Sequence, residues 1–172
     1  MRYTHTTVAL VFLAVIAAVT MGQFPASAQT TVGQIPGITT KDAYPNGCVD
    51  CHVAGKTGDM RISELMAKYA TAVPPGLIDK AKASSPAALA ARIKGKHMSV
   101  PKVKANVPQS CMAACHKKGS TVAPPFAQLM HTIHLQGGAK NTFLTTHQGE
   151  CTYCHKMDSK TGTWTIASAA EK

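Results

Sequence analysis

Six cysteines fall in three pairs, and a histidine follows each pair at once: Cys48-Val49-Asp50-Cys51-His52, Cys111-Met112-Ala113-Ala114-Cys115-His116 and Cys151-Thr152-Tyr153-Cys154-His155. With 8 histidines in 172 residues, three such coincidences arise by chance on the order of once in ten thousand. Three chemistries compete for thiols so arranged. Disulfides are the default use of cysteine in an exported chain, yet they give no reason for a histidine beside every pair. Structural zinc takes four ligands, usually two Cys pairs for each ion, so three pairs leave one unmatched. Covalent haem uses every position: two thiols add to the vinyl groups as thioethers, and the adjoining imidazole turns under the ring to bind iron.

The pattern resembles the multihaem c-type cytochromes, exported electron carriers whose signature is a repeated C-x-x-C-H. The first and third sites match it directly, and the second resembles the C-x-x-x-C-H variant, in which the extra residue bulges from the turn. The resemblance rests on about 16 motif residues and implies three covalent haem c groups, held by Cys48, Cys51, His52, Cys111, Cys115, His116, Cys151, Cys154 and His155.

What fills the sixth position of each iron separates carriers from enzymes. Outside the motifs and downstream of residue 28, the chain has four histidines, His97, His131, His134 and His147, one more than three irons require. His131 and His134 lie in a helical pattern that starts after Pro125 and stops at Gly137-Gly138. At i and i+3 they share one face, about 60° apart around the axis and about 4.5 Å along it. If both bind iron, they serve two different irons and hold those sites close together. His97 follows a run that Ser85 could cap and Pro86 begin. These three are the expected distal ligands. His147, in a polar, glycine-containing stretch that reads as a turn, ranks fourth, and Met98 is the one methionine that rivals a histidine.

The elements that must position these groups are short. Ile62, Leu65, Met66 and Tyr69 recur at helical spacing, and Leu77 to Lys94 gives two helical runs broken at Ser84-Ser85-Pro86. Residues 29–47 read as an irregular arm, Trp164-Thr165-Ile166 as a short extended piece, and no alternating strand of useful length appears. The expected fold class is mainly α with extensive irregular loops, organised around three haems. Aromatics are only 5% of the chain, so the cofactors would supply the large apolar planes, as small domains need.

Arg2, the apolar run from Val8 and Ala26-Ser27-Ala28 read as a signal peptide spanning 1–28, with cleavage before Gln29 and periplasmic or extracellular delivery. A single domain, 29–172, would remain. The longest apolar stretch, Val8 to Val19, is too short to span a bilayer, so no stable membrane insertion is expected. With 18 basic and 8 acidic side chains, the surface suits acidic redox partner proteins and, after export, no nucleic acid. No acid–base pair or nucleophile stands out, so the expected function is an electron relay without enzymatic activity. The alternatives are a reductase subunit with one open iron position, and a polymerising haem conductor in which His147 crosses between subunits.

Overall fold

A computed structural model describes residues 33–172, apart from 57, 101 and 102; the expected signal peptide lies outside the described residues. Gln34–Lys172 forms one unit. Its helices are α1 (Cys48–Cys51), α2 (Ile62–Tyr69), α3 (Pro75–Ala83), α4 (Ala87–Ala90), α5 (Gln109–Ala113), α6 (Phe126–Leu135) and α7 (Thr142–His147). Two antiparallel ribbons complete it, β1 (Ala54–Gly55) with β2 (Gly58–Asp59), and β3 (His155–Asp158) with β4 (Thr163–Ile166). Among the described residues no helix is long and apolar enough to cross a membrane.

The helix boundaries follow local chemistry. Pro75 opens α3 with its fixed φ where no intrahelical N–H is required. Pro86 precedes α4, but Ser85 does not cap it: its hydroxyl donates back to the Ala81 carbonyl at 2.7 Å and finishes α3 instead. The serine had two helix ends within reach, and the preceding one took it. Helix α6 ends on Asn141, whose side-chain amide donates to the Ile133 and Gln136 carbonyls at 3.0 and 2.7 Å. The same side chain accepts from Phe143 N–H and so caps α7. One buried asparagine thus fixes the angle between two helices. Lys80 on α3 reaches across to the Ile133 carbonyl at 3.0 Å, tying α3 to α6.

The strand β3 departs from the sequence reading, in which only its partner was expected to be extended. His155-Lys156-Met157-Asp158 shows no apolar alternation; its pairing is set by the following turn, where the Asp158 carboxylate accepts from Lys160 and Thr161 N–H. His147 departs too. It is the last residue of α7 rather than part of a turn, and the reversal comes one residue later, at Gln148 and Gly149, with φ of 54° and 67°.

Side chains provide little interior. Among the described residues the buried apolar side chains are Val49, Leu89, Val107, Pro108 and Pro124, with Val107 at 0% exposure. Val49 and Val107 form a nucleus against which Cys48, Cys111, Ile62, Val100 and Ala169 pack, so thiols of sites 1 and 2 border the same small core. Residues 167–171 strap these parts together. Ala167 N–H donates to the Cys154 carbonyl, Ala169 exchanges two backbone bonds with Val107, and Glu171 N–H reaches the Lys104 carbonyl. The Glu171 carboxylate then accepts from the backbone N–H and hydroxyl of Ser63 at the start of α2, where unsatisfied helix N–H groups favour an anion.

Candidate functional site

Site 1 is a single helical turn. Cys48 and Cys51 lie at its ends, and the His52 N–H donates to the Cys48 carbonyl at 2.8 Å. The turn starts at Gly47, with φ 63° and ψ −121°, a region essentially closed to other residues. A Cβ there would stand 3.0 Å from the Ala167 side chain, so this glycine also allows residues after site 3 to approach site 1. The β1–β2 ribbon returns the Met60 carbonyl to His52 Nδ1, 2.9 Å away.

Site 2 carries one more residue and closes in the same way. The His116 N–H donates to the Cys111 carbonyl at 3.0 Å, a turn wider by one residue than that of site 1. The extra residue is absorbed at Ala114, whose ψ of −104° lies outside the helical range. His116 Nδ1 is 2.7 Å from the Pro124 carbonyl. That carbonyl is presented by a loop in which the buried Ser120 hydroxyl accepts from Val122 and Ala123 N–H. Site 3 begins with a 3-10 turn at Cys151–Tyr153, capped by the Glu150 carboxylate through Thr152 N–H and hydroxyl. Its histidine, His155, is the first residue of β3, opposite Ile166.

Each motif imidazole faces one imidazole from elsewhere in the chain. His52 faces His134 with ring centres 6.3 Å apart and planes at 82°. His116 faces His97 at 6.1 Å and 4°. His155 faces His131 at 6.1 Å and 40°. Two imidazoles bound trans to one metal, with metal–nitrogen distances of about 2.0 Å and ring centres about 1.1 Å further out, stand about 6.2 Å apart. All three pairs have that separation. His131 and His134, one turn apart on α6, go to sites 3 and 1 respectively; His97 is held by its own N–H on the Tyr69 carbonyl at 2.8 Å.

Hydrogen bonding sets the tautomer. Besides His52 and His116, His97 Nδ1 is 2.6 Å from the Met98 carbonyl and His134 Nδ1 is 3.0 Å from the Met130 carbonyl. A carbonyl only accepts, so in all four rings the proton is on Nδ1 and the Nε2 lone pair is free for a metal. Burial pushes the His116, His134 and His155 imidazoles below the ordinary value of 6.5 and favours the neutral ligand form. Burial likewise pushes the Cys48 thiol up to about 11 and raises Cys51, Cys111 and Cys154. In every pair one thiol is sheltered, Cys48, Cys111 or Cys154, and the other is exposed.

The residues present fit covalent haem: each site offers two thiols, a proximal imidazole and a second imidazole at the spacing of a shared iron. Among the described residues no three or more His, Cys, Asp or Glu side chains converge, whereas structural zinc needs four ligands. His147 faces none of the motif imidazoles. Its ring lies among Tyr44, Phe143 and Tyr153, 5.7 to 5.8 Å between centres. The Met98 backbone carbonyl serves His97 while its side chain is 73% exposed. Which histidine from elsewhere in the chain faces which motif histidine had no sequence signal, since those partners are joined only by long-range packing. Comparison of the chain with family models, with curated proteins and with solved structures finds no match to any of the three.

Proposed function

We propose that the chain is an exported triheme c-type cytochrome that relays single electrons between redox proteins. The observation that carries this reading is the set of three facing imidazole pairs, each joining a Cys-motif histidine to one distal histidine at the separation of two ligands on one iron. A haem bound at such a site supplies a one-electron ferric–ferrous couple. The chain contributes the rest. His52 with His134, His116 with His97 and His155 with His131 would hold the iron of each haem, and the Nδ1–H bonds to backbone carbonyls orient the rings of His52, His97, His116 and His134 and strengthen their Nε2 as donors. Helix α6 carries ligands for sites 1 and 3 within one turn, which keeps those two sites neighbours.

The same pairs favour a relay over a reductase, because no motif histidine is left facing an open position. His147 is half-buried with its ring against Tyr44, Phe143 and Tyr153 of its own chain, which disfavours its use as a ligand between subunits. The test is the mass of the exported protein after acid and acetone extraction, which should exceed that of the polypeptide from Gln29 by three haems, roughly 1.8 kDa, with an entirely low-spin spectrum. A bound mass of two haems or fewer, or a high-spin signal that shifts with cyanide or nitrite, refutes the relay.

A further inference from the structure

The charges of this chain are segregated along the sequence. All eight carboxylates lie at or before Asp79 or at or after Glu150, and the 70 residues between carry ten Lys and Arg and no acid. Site 2 falls wholly inside that stretch, since His97, Cys111, Cys115 and His116 all belong to it. Sites 1 and 3 do not: Asp50 is inside the turn of site 1 and Glu150 caps the turn of site 3.

Around site 2 the cations come close to the ligands. Lys94 and Lys96 precede His97, and Lys117 and Lys118 follow His116; all four are exposed. The ion pairs formed among the described residues are Arg61 with Asp59 and Glu64, Lys104 with Glu64, and Lys156 with Asp42. None of the four lysines takes part in one. Among the described residues the two most exposed large apolar side chains lie in the same segments: Met98 at 73% and Val122 at 67%. Met98 supplies the carbonyl that orients His97, and Val122 belongs to the loop that presents Pro124 to His116. Lysines outside the ion pairs, with exposed apolar side chains in the same two segments, have the composition of a transient protein interface, in which a charged rim surrounds a small desolvated centre.

We propose that the face built by residues 94–98 and 116–124 is the docking port for an acidic electron-transfer protein, so that exchange with that partner takes place at site 2. This rests on the relay reading above. An anionic membrane is the weaker occupant, because these segments are loop rather than an amphipathic helix able to bury an apolar face in lipid. The four lysines would act by steering encounter, and Met98 and Val122 by prolonging the complex.

The test uses the full protein carrying its three haems, with an acidic flavodoxin as probe. Lys94, Lys96, Lys117 and Lys118 are replaced together by Gln; a control replaces the exposed Lys41, Lys140, Lys160 and Lys172 by Gln, removing the same charge elsewhere. Haem mass and low-spin spectra are read first, in wild type and both variants. A wild type without three low-spin haems overturns the relay reading and the port with it. With those intact, the second-order rate of electron exchange at low salt should fall about tenfold or more in the site 2 variant and lose most of its salt dependence, while the control stays within about threefold of wild type. Amide shifts induced by the flavodoxin should fall on 94–98 and 116–124. Equal slowing in both variants, or shifts centred on site 3, overturns the port and leaves the relay standing. Binding to phosphatidylserine vesicles that is lost in the site 2 variant while its flavodoxin rate is unchanged also overturns the port, in favour of a membrane surface. A Met98→Ser/Val122→Ser protein should dissociate faster with an unchanged encounter rate; an unchanged dissociation rate removes the apolar centre from the proposal.

Discussion

Replacing His134 by alanine should silence one particular iron signal, and the ring geometry says which. An axial imidazole interacts with the iron d orbital perpendicular to its own plane. Parallel planes act on one orbital and split the pair strongly, whereas crossed planes act on both and leave them nearly degenerate. His97 and His116, at 4°, should give a rhombic low-spin EPR signal; His52 and His134, at 82°, a highly anisotropic one; His131 and His155, at 40°, one between. In the His134→Ala protein the highly anisotropic signal should vanish, the low-spin intensity fall by about one third, and a high-spin or new-ligand signal of equal weight appear. His131 cannot compensate, because it sits about 4.5 Å along the same helix with its ring against His155. His131→Ala should remove the intermediate signal and His97→Ala the rhombic one, each leaving the other two in place. Loss of the rhombic signal in His134→Ala, or of two signals from one substitution, would refute the pairing.

Three further outcomes can be checked. His147→Ala and Met98→Leu should leave all three low-spin signals unchanged, because the His147 ring faces Tyr44, Phe143 and Tyr153 and the Met98 side chain points to solvent; a new high-spin component in either variant would overturn this. Gly47→Ala should destabilise the haem-loaded protein by about 1–3 kcal/mol, read by denaturant melting, since it meets both a closed region of φ and ψ and the Ala167 side chain at 3.0 Å. At Asp42, burial alone would raise the carboxyl, but hydrogen bonds from Lys156 and the Tyr44 N–H, with the Lys156 charge, outweigh it and hold the carboxyl below its ordinary 3.8. The bridge's stabilisation is therefore full above that value and is lost as the pH falls through the lower folded-state value. Asp42→Asn should flatten this part of the acid denaturation curve, and an unchanged acid limb would refute the assignment.

Much of the local structure was legible in the sequence. The run from Pro125 to Gly137 signals a helix at both ends, and α6 spans Phe126–Leu135; the i, i+3 spacing of His131 and His134 then dictates different partners for them. Which partners could not be read, because the choice depends on how α6 lies over α1 and β3, and so small an apolar interior among the described residues leaves no periodic trace of that. The widened turn at site 2 was legible as one extra residue, but its closure by the same His N–H to Cys carbonyl bond was not. Ser85, His147 and β3 were misread for a common reason. Each is decided by competition between neighbouring caps and turns, which composition alone does not resolve.

The strap at residues 167–171 has a consequence for the order of assembly. Its bonds join positions 108 apart in sequence at Ser63 and Glu171, and 62 apart at Asn106 and Ser168, so closing it carries the loop-closure entropy of nearly the whole described chain. Such contacts form late in folding and open early. Ala169 lies on the small core that Cys48 and Cys111 border, and Ala167 holds the Cys154 carbonyl, so the strap closes over the sheltered thiol of every pair or the backbone beside it. A chain with its strap undone leaves all three sheltered cysteines uncovered. On the haem reading, attachment at those thiols would therefore precede the latching of residues 167–171.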